Sequence, residues 1–169
     1  LRGVSEIKNP TDYIDLGHFA ITLGNLIGEG QLKNACDDLV KSIQNMIINN
    51  DVDPNKVYLM GYSAGGDGVY QLAPRMANRF AAASMMAGHP NDATPLGLRN
   101  IGFMIHMGEN DSAYNRNKVA LEWDNKLKNL KRNDPDGYMH QVKIYKGKGH
   151  HISHAKRKDL SNPRIDNLD

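Results

Sequence analysis

The strongest structural signal in this chain is KVYLMGYSAGG, at residues 56–66. Its first seven residues form a compact run in which apolar side chains predominate, which predicts a strand covered on both faces. A Gly-x-Ser-x-Gly pattern centred on Ser63 follows at once, and a helical pattern begins at Ala64. A sharp strand-to-helix turn of this kind strains the serine backbone and holds its hydroxyl exposed at the carboxyl end of a sheet. The pattern therefore predicts a nucleophilic serine at position 63.

Apolar periodicity on either side of this turn predicts alternating helices and strands. Before it, apolar residues recur at three- and four-residue steps over residues 31–47, which indicates one buried stripe of a helix. After it, a helix is predicted over residues 64–79, with a kink or a restart at Pro74. The remaining elements are strands over 81–87, 100–107 and 141–146 and a helix over 115–132. This alternation predicts an α/β fold, with a mostly parallel sheet and helices on both faces.

A serine hydroxyl needs partners elsewhere in the chain before it can react. A base must take its proton, and a carboxylate must orient that base. In a sheet of this kind those partners lie on loops after later strands, in the order serine, acid, histidine. Asp111 and Asp92 both follow a predicted strand. We expect Asp111 to be the acid because its loop leads directly into a helix, whereas Asp92 is interpreted as a loop or capping carboxylate.

Four histidines follow Asp111 along the chain. His140 opens the last predicted strand, which places it at the opposite end of the sheet from the serine and excludes it. His150 follows that strand after two glycines, which allow its side chain to reach the serine, and we expect it to be the base. His151 is the alternative, and it points elsewhere if His150 points inward. His154 lies further into a polar tail.

Other residues near the predicted site have less specific interpretations. The backbone N–H of Ala64 is expected to donate to an oxyanion. Tyr62 and His89 are candidates for contacting substrate, and a structural role in its loop is equally open for His89. His106 lies inside a predicted strand and is interpreted as a packed side chain bonded to a neighbour.

Composition excludes several classes of protein. The 169 residues carry a net charge of +2, too small to indicate a nucleic-acid or anionic-membrane partner. No apolar run approaches the roughly 20 residues that span a bilayer. The single cysteine, Cys36, excludes an internal disulfide and a cysteine-built zinc site, and it is compatible with an intracellular compartment. The C-terminal histidine cluster has no companion Glu-x-x-His motif, so no metal site is predicted.

Three segments together resemble the α/β-hydrolase superfamily: the turn at 61–66, GEND at 108–111 and GKGH at 147–150. DPNKVYLMGYSAGG, residues 53–66, is typical of the branch of dienelactone hydrolases, polyhydroxybutyrate depolymerases and prolyl-oligopeptidase-like esterases. The resemblance covers residues 31–151. What it implies is a nucleophile, an acid and a base without a cofactor: Ser63, Asp111 and His150.

Two departures from this family concern the N-terminal part. Family members carry more strands than the four predicted here, and their second oxyanion donor comes from a loop often written His-Gly-Gly, which residues 1–30 lack. Only a strand end at 2–5 and a short helix at 18–27 are expected there. Because residue 1 is not Met and no leader pattern follows, we expect the single domain over 1–169 to be the C-terminal part of a longer chain. Upstream sequence or a partner chain is then expected to cover the exposed sheet edge.

The leading hypothesis is a serine hydrolase that cleaves a small-molecule carboxylic ester through an acyl-enzyme. The first alternative is a peptidase or thioesterase with the same three residues, since the sequence shows no specificity pocket. The second alternative is a catalytically inactive hydrolase-like subunit of a larger assembly, which the missing oxyanion loop motivates.

Overall fold

Helices and strands alternate in the order that the apolar patterns predict. The computed structural model describes residues 29–50 and 52–152, with side chains from residue 36 onward. The expected strand at 2–5 and helix at 18–27 lie outside the described residues. Within the described ranges the elements are α1 (Glu29–Asn50), β1 (Tyr58–Tyr62), α2 (Ala64–Arg75), β2 (Ala82–Met86), β3 (Gly102–Gly108), α3 (Arg116–Asn133) and β4 (His140–Tyr145).

The four described strands form one parallel sheet in the order β1-β2-β3-β4. Tyr58 is in register with Ala82, and Ala82 is in register with Gly102. Because the strands share one direction, the loops that follow β1, β3 and β4 leave the sheet at the same end. Those loops carry the predicted nucleophile, acid and base. The sheet therefore provides the common edge on which the site is built, and the fold is of the predicted α/β class.

Aromatic packing fixes α2 and α3 against one face of this sheet. Phe103 of β3 lies against Tyr70 of α2 and Trp123 of α3, with ring centroids 5.9 and 6.0 Å away. Tyr70 and Trp123 meet edge to face at 4.5 Å, an arrangement favoured by the ring quadrupoles. All three rings are buried, and α1 adds Leu39 and Ile43 to the same core. None of the helices in the described part of the chain is long and apolar enough to cross a bilayer.

His106 lies on the other face of β3. Side chains alternate between the two faces of a strand, so His106 points away from Phe103. It is 2% exposed, and its Nδ1 lies 3.0 Å from the hydroxyl of Tyr145. The interpretation of His106 as a packed, hydrogen-bonded side chain is confirmed.

The strand before the serine turn is shorter than predicted. The Asp53 carboxylate accepts a hydrogen bond from the Asn55 N–H at 2.9 Å, which stabilises a short 3-10 turn at Pro54–Lys56. β1 therefore begins at Tyr58. The expectation that both faces of this strand are covered is wrong at Tyr58, which is 48% exposed. Tyr58 is the first residue of an outermost strand of the described sheet, where fewer neighbours pack against it.

Helix α2 also ends earlier than predicted. It stops at Arg75, one residue after Pro74, and a separate 3-10 turn follows at Ala77–Arg79. Proline has no N–H with which to bond the carbonyl four residues earlier, so a regular helix does not continue past it. The predicted restart is confirmed, and the single helix expected over 64–79 is two pieces.

Candidate active site

Ser63 lies in the sharp turn between β1 and α2. Its φ of 58° and ψ of −121° fall outside the regions that side-chain-bearing residues ordinarily adopt. Two hydrogen bonds hold this conformation. The Ser63 N–H donates to the Met86 carbonyl at 2.9 Å, and the Ser63 carbonyl accepts from the Asp67 N–H at 3.0 Å. The turn is thus held between β2 and the first turn of α2, at the carboxyl end of β1.

Glycines around Ser63 allow three backbones to approach closely. A Cβ at Gly61 would lie 2.0 Å from the carbonyl oxygen of Gly65. A Cβ at Gly66 would lie 2.5 Å from the carbonyl oxygen of Met86. Because both contacts would be with backbone atoms of packed elements, a side chain at either position would force β1, α2 and β2 apart. The glycines of the motif are therefore required by the close packing of these elements.

Three side chains from three loops form a continuous hydrogen-bonded row. Oγ of Ser63 lies 2.8 Å from Nε2 of His150. Nδ1 of the same imidazole lies 2.8 Å from Oδ2 of Asp111. The Asp111 side chain is 2% exposed, whereas that of His150 is 32% exposed. The row therefore runs from a buried carboxylate to a partly exposed imidazole and to Ser63, a half-buried residue.

The protonation of this row follows from the chemistry of its members. An ionised carboxylate can only accept hydrogen bonds, so Nδ1 of His150 carries the proton that Asp111 receives. Nε2 of a neutral imidazole with this tautomer is an acceptor, and it faces the hydroxyl of Ser63. The arrangement can move the hydroxyl proton to the imidazole while the carboxylate stabilises the imidazolium that forms.

The first turn of α2 supplies backbone donors beside Ser63. Ala64 is the first residue of α2, and N–H groups in the first turn of a helix have no acceptor within that helix. The helix dipole also favours negative charge at this end. An anion that forms next to Ser63 would therefore find a donor at Ala64. A His-Gly-Gly motif, the usual source of a second donor in the resembled family, is absent from the sequence of residues 1–30, and the structure describes this segment only from residue 29.

Arg116 borders the row on the side of the carboxylate. Its Nη1 lies 3.6 Å from Oδ1 of Asp111, the carboxylate oxygen that His150 does not use. The Arg116 side chain is 12% exposed, so water screens this ion pair weakly. No sequence signal indicates the contact, because a separate 3-10 turn at Ala113–Asn115 lies between the two residues and no helical or strand period relates them.

Asp67 borders the row on the side of the serine. Its Oδ1 accepts a hydrogen bond from the His89 N–H at 2.7 Å. Burial raises the pKa of the Asp67 carboxyl, although the His89 N–H and the charge of Arg116 act in the opposite direction. An acidic residue four positions after the serine, in the helix that begins at the serine turn, is a sequence signal that could have identified it.

Tyr62 contacts the loop that carries His150. Its hydroxyl donates to the carbonyl oxygen of His150 at 2.7 Å and lies 3.2 Å from Nδ1 of His151. The exposed imidazole of His151 is thus turned toward Tyr62, while that of its neighbour is turned toward Ser63. The structure brings His150, and not His151, to the serine.

His89 lies in the loop after β2, and its contacts are internal to the protein. Its imidazole Nδ1 accepts a hydrogen bond from the Asn91 N–H at 3.0 Å, in addition to the backbone bond with Asp67. These contacts support the structural role that the sequence left open, and a contact between His89 and substrate stays a prediction. In the described part of the chain, no group of three His, Cys, Asp or Glu side chains is placed to hold a metal ion.

The alternative acid, Asp92, and the excluded histidine His140 lie away from the row. Asp92 has a side chain that is 78% exposed and pairs with Arg75 at 3.2 Å. It also accepts a hydrogen bond from Gln71 at 3.0 Å. His140 opens β4, at the opposite end of the sheet from Ser63. His154 lies outside the described residues.

A parallel sheet that carries a strained serine turn at its carboxyl end is the architecture of an α/β-hydrolase, and the fold of this chain is of that class. The sequence matches the model of the dienelactone hydrolase family over residues 17–165. The chain belongs to the dienelactone hydrolase family. No protein of curated function matches its sequence significantly.

Solved structures with a similar fold share little sequence with this chain. A thermostable esterase is 22% identical with a TM-score of 0.51, over 65% of this chain and 28% of that one. A variant of SOBER1 from Arabidopsis thaliana is 18% identical with a TM-score of 0.55, over 78% and 62% of the two chains. A carboxylesterase from Mesorhizobium loti is 14% identical with a TM-score of 0.53, over 83% and 60%. The chain thus spans between 28% and 62% of the length of these structures.

Proposed function

We propose that this chain is the catalytic region of a serine hydrolase that cleaves small carboxylic esters through an acyl-enzyme. The observation that carries the proposal is the row of Ser63, His150 and Asp111, with its two contacts of 2.8 Å. The strained backbone of Ser63 and the membership in the dienelactone hydrolase family support the same function.

The reaction assigns one step to each member of the row. Oγ of Ser63 attacks the ester carbonyl carbon while Nε2 of His150 takes the hydroxyl proton. The imidazolium, stabilised by the Asp111 carboxylate, then gives this proton to the leaving alcohol, and an acyl-serine remains. Water then attacks the acyl carbon while His150 takes one of its protons. The bond between the acyl carbon and Oγ of Ser63 breaks as His150 returns that proton to Oγ, which releases the carboxylic acid and the free serine.

The negative charge of the tetrahedral intermediates develops on the former carbonyl oxygen. The donor to this oxygen is the N–H of Ala64, an assignment supported by its position as the first residue of α2, directly after Ser63. Preorganised donors of this kind are worth about 10²- to 10³-fold in rate each, since they need no reorganisation during the reaction. The positive end of the α2 dipole acts in the same direction.

An ester substrate is favoured over the two alternative functions. A thermostable esterase and a carboxylesterase have this fold, which supports an ester over a peptide or a thioester. A catalytically inactive subunit would have no use for the backbone strain at Ser63, which costs about 1–3 kcal/mol in typical cases. The same strain is useful to an enzyme because it exposes the nucleophile.

Labelling and turnover of the full-length protein test the proposal. A fluorophosphonate probe should label the wild type and lose its target in Ser63→Ala. Ser112→Ala is the matched control, because Ser112 is an exposed serine beside Asp111 and should leave labelling unchanged. Nitrophenyl esters should be hydrolysed faster than thioesters and short peptides, with kcat in Ser63→Ala lower by about 10⁴- to 10⁶-fold.

Three results would contradict the proposal. Full labelling of Ser63→Ala would remove Ser63 from the role of nucleophile. Faster turnover of peptides or thioesters than of esters would show that the substrate is not an ester and would favour a peptidase or a thioesterase. A folded wild type without any turnover would favour the catalytically inactive subunit.

A further inference from the structure

One tyrosine connects the loop of the nucleophile to the loop of the base. The hydroxyl of Tyr62 donates to the carbonyl oxygen of His150 at 2.7 Å. Its ring lies 5.5 Å, centroid to centroid, from the imidazole of His150. Tyr62 is also the residue directly before Ser63 in the chain. The last residue of the strand that leads to the nucleophile therefore holds the backbone of the base through its own side chain.

The hydroxyl of Tyr62 also contacts His151 on the same loop. The number of protons available shows which of the two groups donates in this contact. The hydroxyl has a single proton, which it donates to the carbonyl of His150. Its contact of 3.2 Å with Nδ1 of His151 must then be one in which the imidazole donates and the hydroxyl oxygen accepts. A directed chain results, from the His151 imidazole through the Tyr62 hydroxyl to the His150 carbonyl.

The base loop is held from its other side by the loop that carries the acid. The Asn110 N–H donates to the Lys148 carbonyl at 2.8 Å, and the Gly147 N–H donates to the Glu109 carboxylate at 2.7 Å. These bonds join the loop of His150 to the loop of Asp111, and neither reaches the strand that precedes Ser63. The Tyr62 hydroxyl supplies a direct link from that strand to the His150 backbone.

We propose that Tyr62 is a positioning residue, which holds the His150 imidazole in line with Ser63 through the His150 backbone. This inference rests on the proposed function of the same site. It replaces the expectation that Tyr62 contacts substrate with a role that acts through the base. His151 supports this role by orienting the Tyr62 hydroxyl.

Tyr62→Phe separates the two roles because it keeps the ring against His150 and removes only the hydroxyl. We expect kcat for a nitrophenyl ester to fall about 10- to 100-fold, since small misplacements of a reacting group have effects of this size. KM should stay within about twofold, because uniform substrate binding is not touched. Tyr138→Phe is the matched control, since the Tyr138 hydroxyl also donates to a backbone carbonyl, that of Leu96, at 3.2 Å.

The double variant with His151 gives a second readout. His151→Ala should lower kcat less than Tyr62→Phe does, because the hydroxyl can still reach the His150 carbonyl. Adding His151→Ala to Tyr62→Phe should cause no further loss, since the imidazole of His151 acts through the hydroxyl that is already absent. Additive losses would overturn the directed chain.

NMR of the His150 imidazole makes the inference independent of activity. The ring ¹⁵N resonances of His150 should shift or broaden in Tyr62→Phe and stay unchanged in Tyr138→Phe. A rise in KM at constant kcat would make Tyr62 a substrate contact, and unchanged kinetics or unchanged resonances would leave it without the proposed role. If the wild type shows no turnover that depends on Ser63, the proposed function fails, and the resonances alone decide the positioning role.

Discussion

The backbone of Gly108, the last residue of β3, lies directly against the carbonyl of Gly149. A Cβ at Gly108 would lie 2.0 Å from the carbonyl oxygen of Gly149 and 2.6 Å from that of Lys148. The loops that carry Asp111 and His150 therefore meet through their backbones as well as through their side chains. The absence of a side chain at Gly108 is a condition for this approach.

Gly108→Ala is expected to displace the loop that carries His150 and to lower kcat by about 10²-fold, because the added methyl group has no room beside Gly149. Gly102→Ala, at the other end of the same strand, is the matched control. Its nearest neighbour would be the Cβ of Ala82 at 3.7 Å, an ordinary contact. Steady-state kinetics and thermal melting of both variants check this prediction, and equal kcat values in the two would contradict it.

Exchange of each candidate acid for its amide distinguishes Asp111 from Asp92. Asp111→Asn removes the charge that orients and stabilises the His150 imidazole, so kcat should fall by about 10⁴-fold. Asp92→Asn should leave kcat unchanged, because the Asp92 side chain is 78% exposed and pairs with Arg75. Ester hydrolysis by the two variants is the measurement. Comparable losses in both, or a larger one in Asp92→Asn, would reverse the assignment.

Asp67→Asn should stabilise the folded protein at neutral pH. Burial raises the pKa of the Asp67 carboxyl, so the folded state holds its proton to a higher pH than the unfolded state does. The folded state of the wild type therefore loses stability as the pH rises from about 4 through the folded pKa. The amide of Asp67→Asn does not ionise, so the variant does not lose this stability, and its oxygen can still accept a hydrogen bond from the His89 N–H. The difference in Tm between the variant and the wild type should vanish below about pH 4.

Asp53→Asn is the control with the opposite sign. The Asn55 N–H and Lys56 lower the pKa of the exposed Asp53 carboxyl, so its ionised form stabilises the folded state above the unfolded pKa. This variant should therefore lower Tm at neutral pH. If Asp67→Asn and Asp53→Asn shift Tm in the same direction, burial of the Asp67 carboxyl is not the cause of the stability change in Asp67→Asn.

His106 should make the protein less stable in mild acid. Burial, and the charge of Lys143, lower the pKa of the His106 imidazole. The unfolded chain therefore binds a proton at this residue before the folded chain does, and stability falls as the pH drops below about 6.5. Tm measured from pH 7.5 to 5.5 should decline less steeply in His106→Gln than in the wild type. Parallel curves would show that His106 does not contribute.

Local patterns in the sequence were sufficient for the elements and for the serine turn. The stripe over residues 31–47 and the apolar runs at 81–87 and 100–107 correspond to α1, β2 and β3, with a shift of one to three residues at each end. Such patterns succeed because a buried face imposes its own period on the chain, 3.6 residues for a helix and two for a strand. The end of α2 near Pro74 was predictable for a similarly local reason.

Boundaries and contacts that depend on distant residues were not predictable in the same way. The sequence did not indicate that the Asp53 carboxylate shortens β1, nor that Arg116 lies beside Asp111. The three candidate site residues were chosen from loop order and from a family resemblance, and the loops alone left His151 open as a base. The link from Tyr62 to the His150 carbonyl joins residues 88 positions apart.

The amino-acid order specifies the alternating elements and the Gly-x-Ser-x-Gly turn, because each of these depends on residues within a few positions of one another. The choice of His150 over His151, the burial of Asp111 and the contacts of Tyr62 arise when the parallel strands align their ends. These features depend on distances between loops that no local pattern contains. The packing of β1, β3 and β4 into one sheet sets those distances.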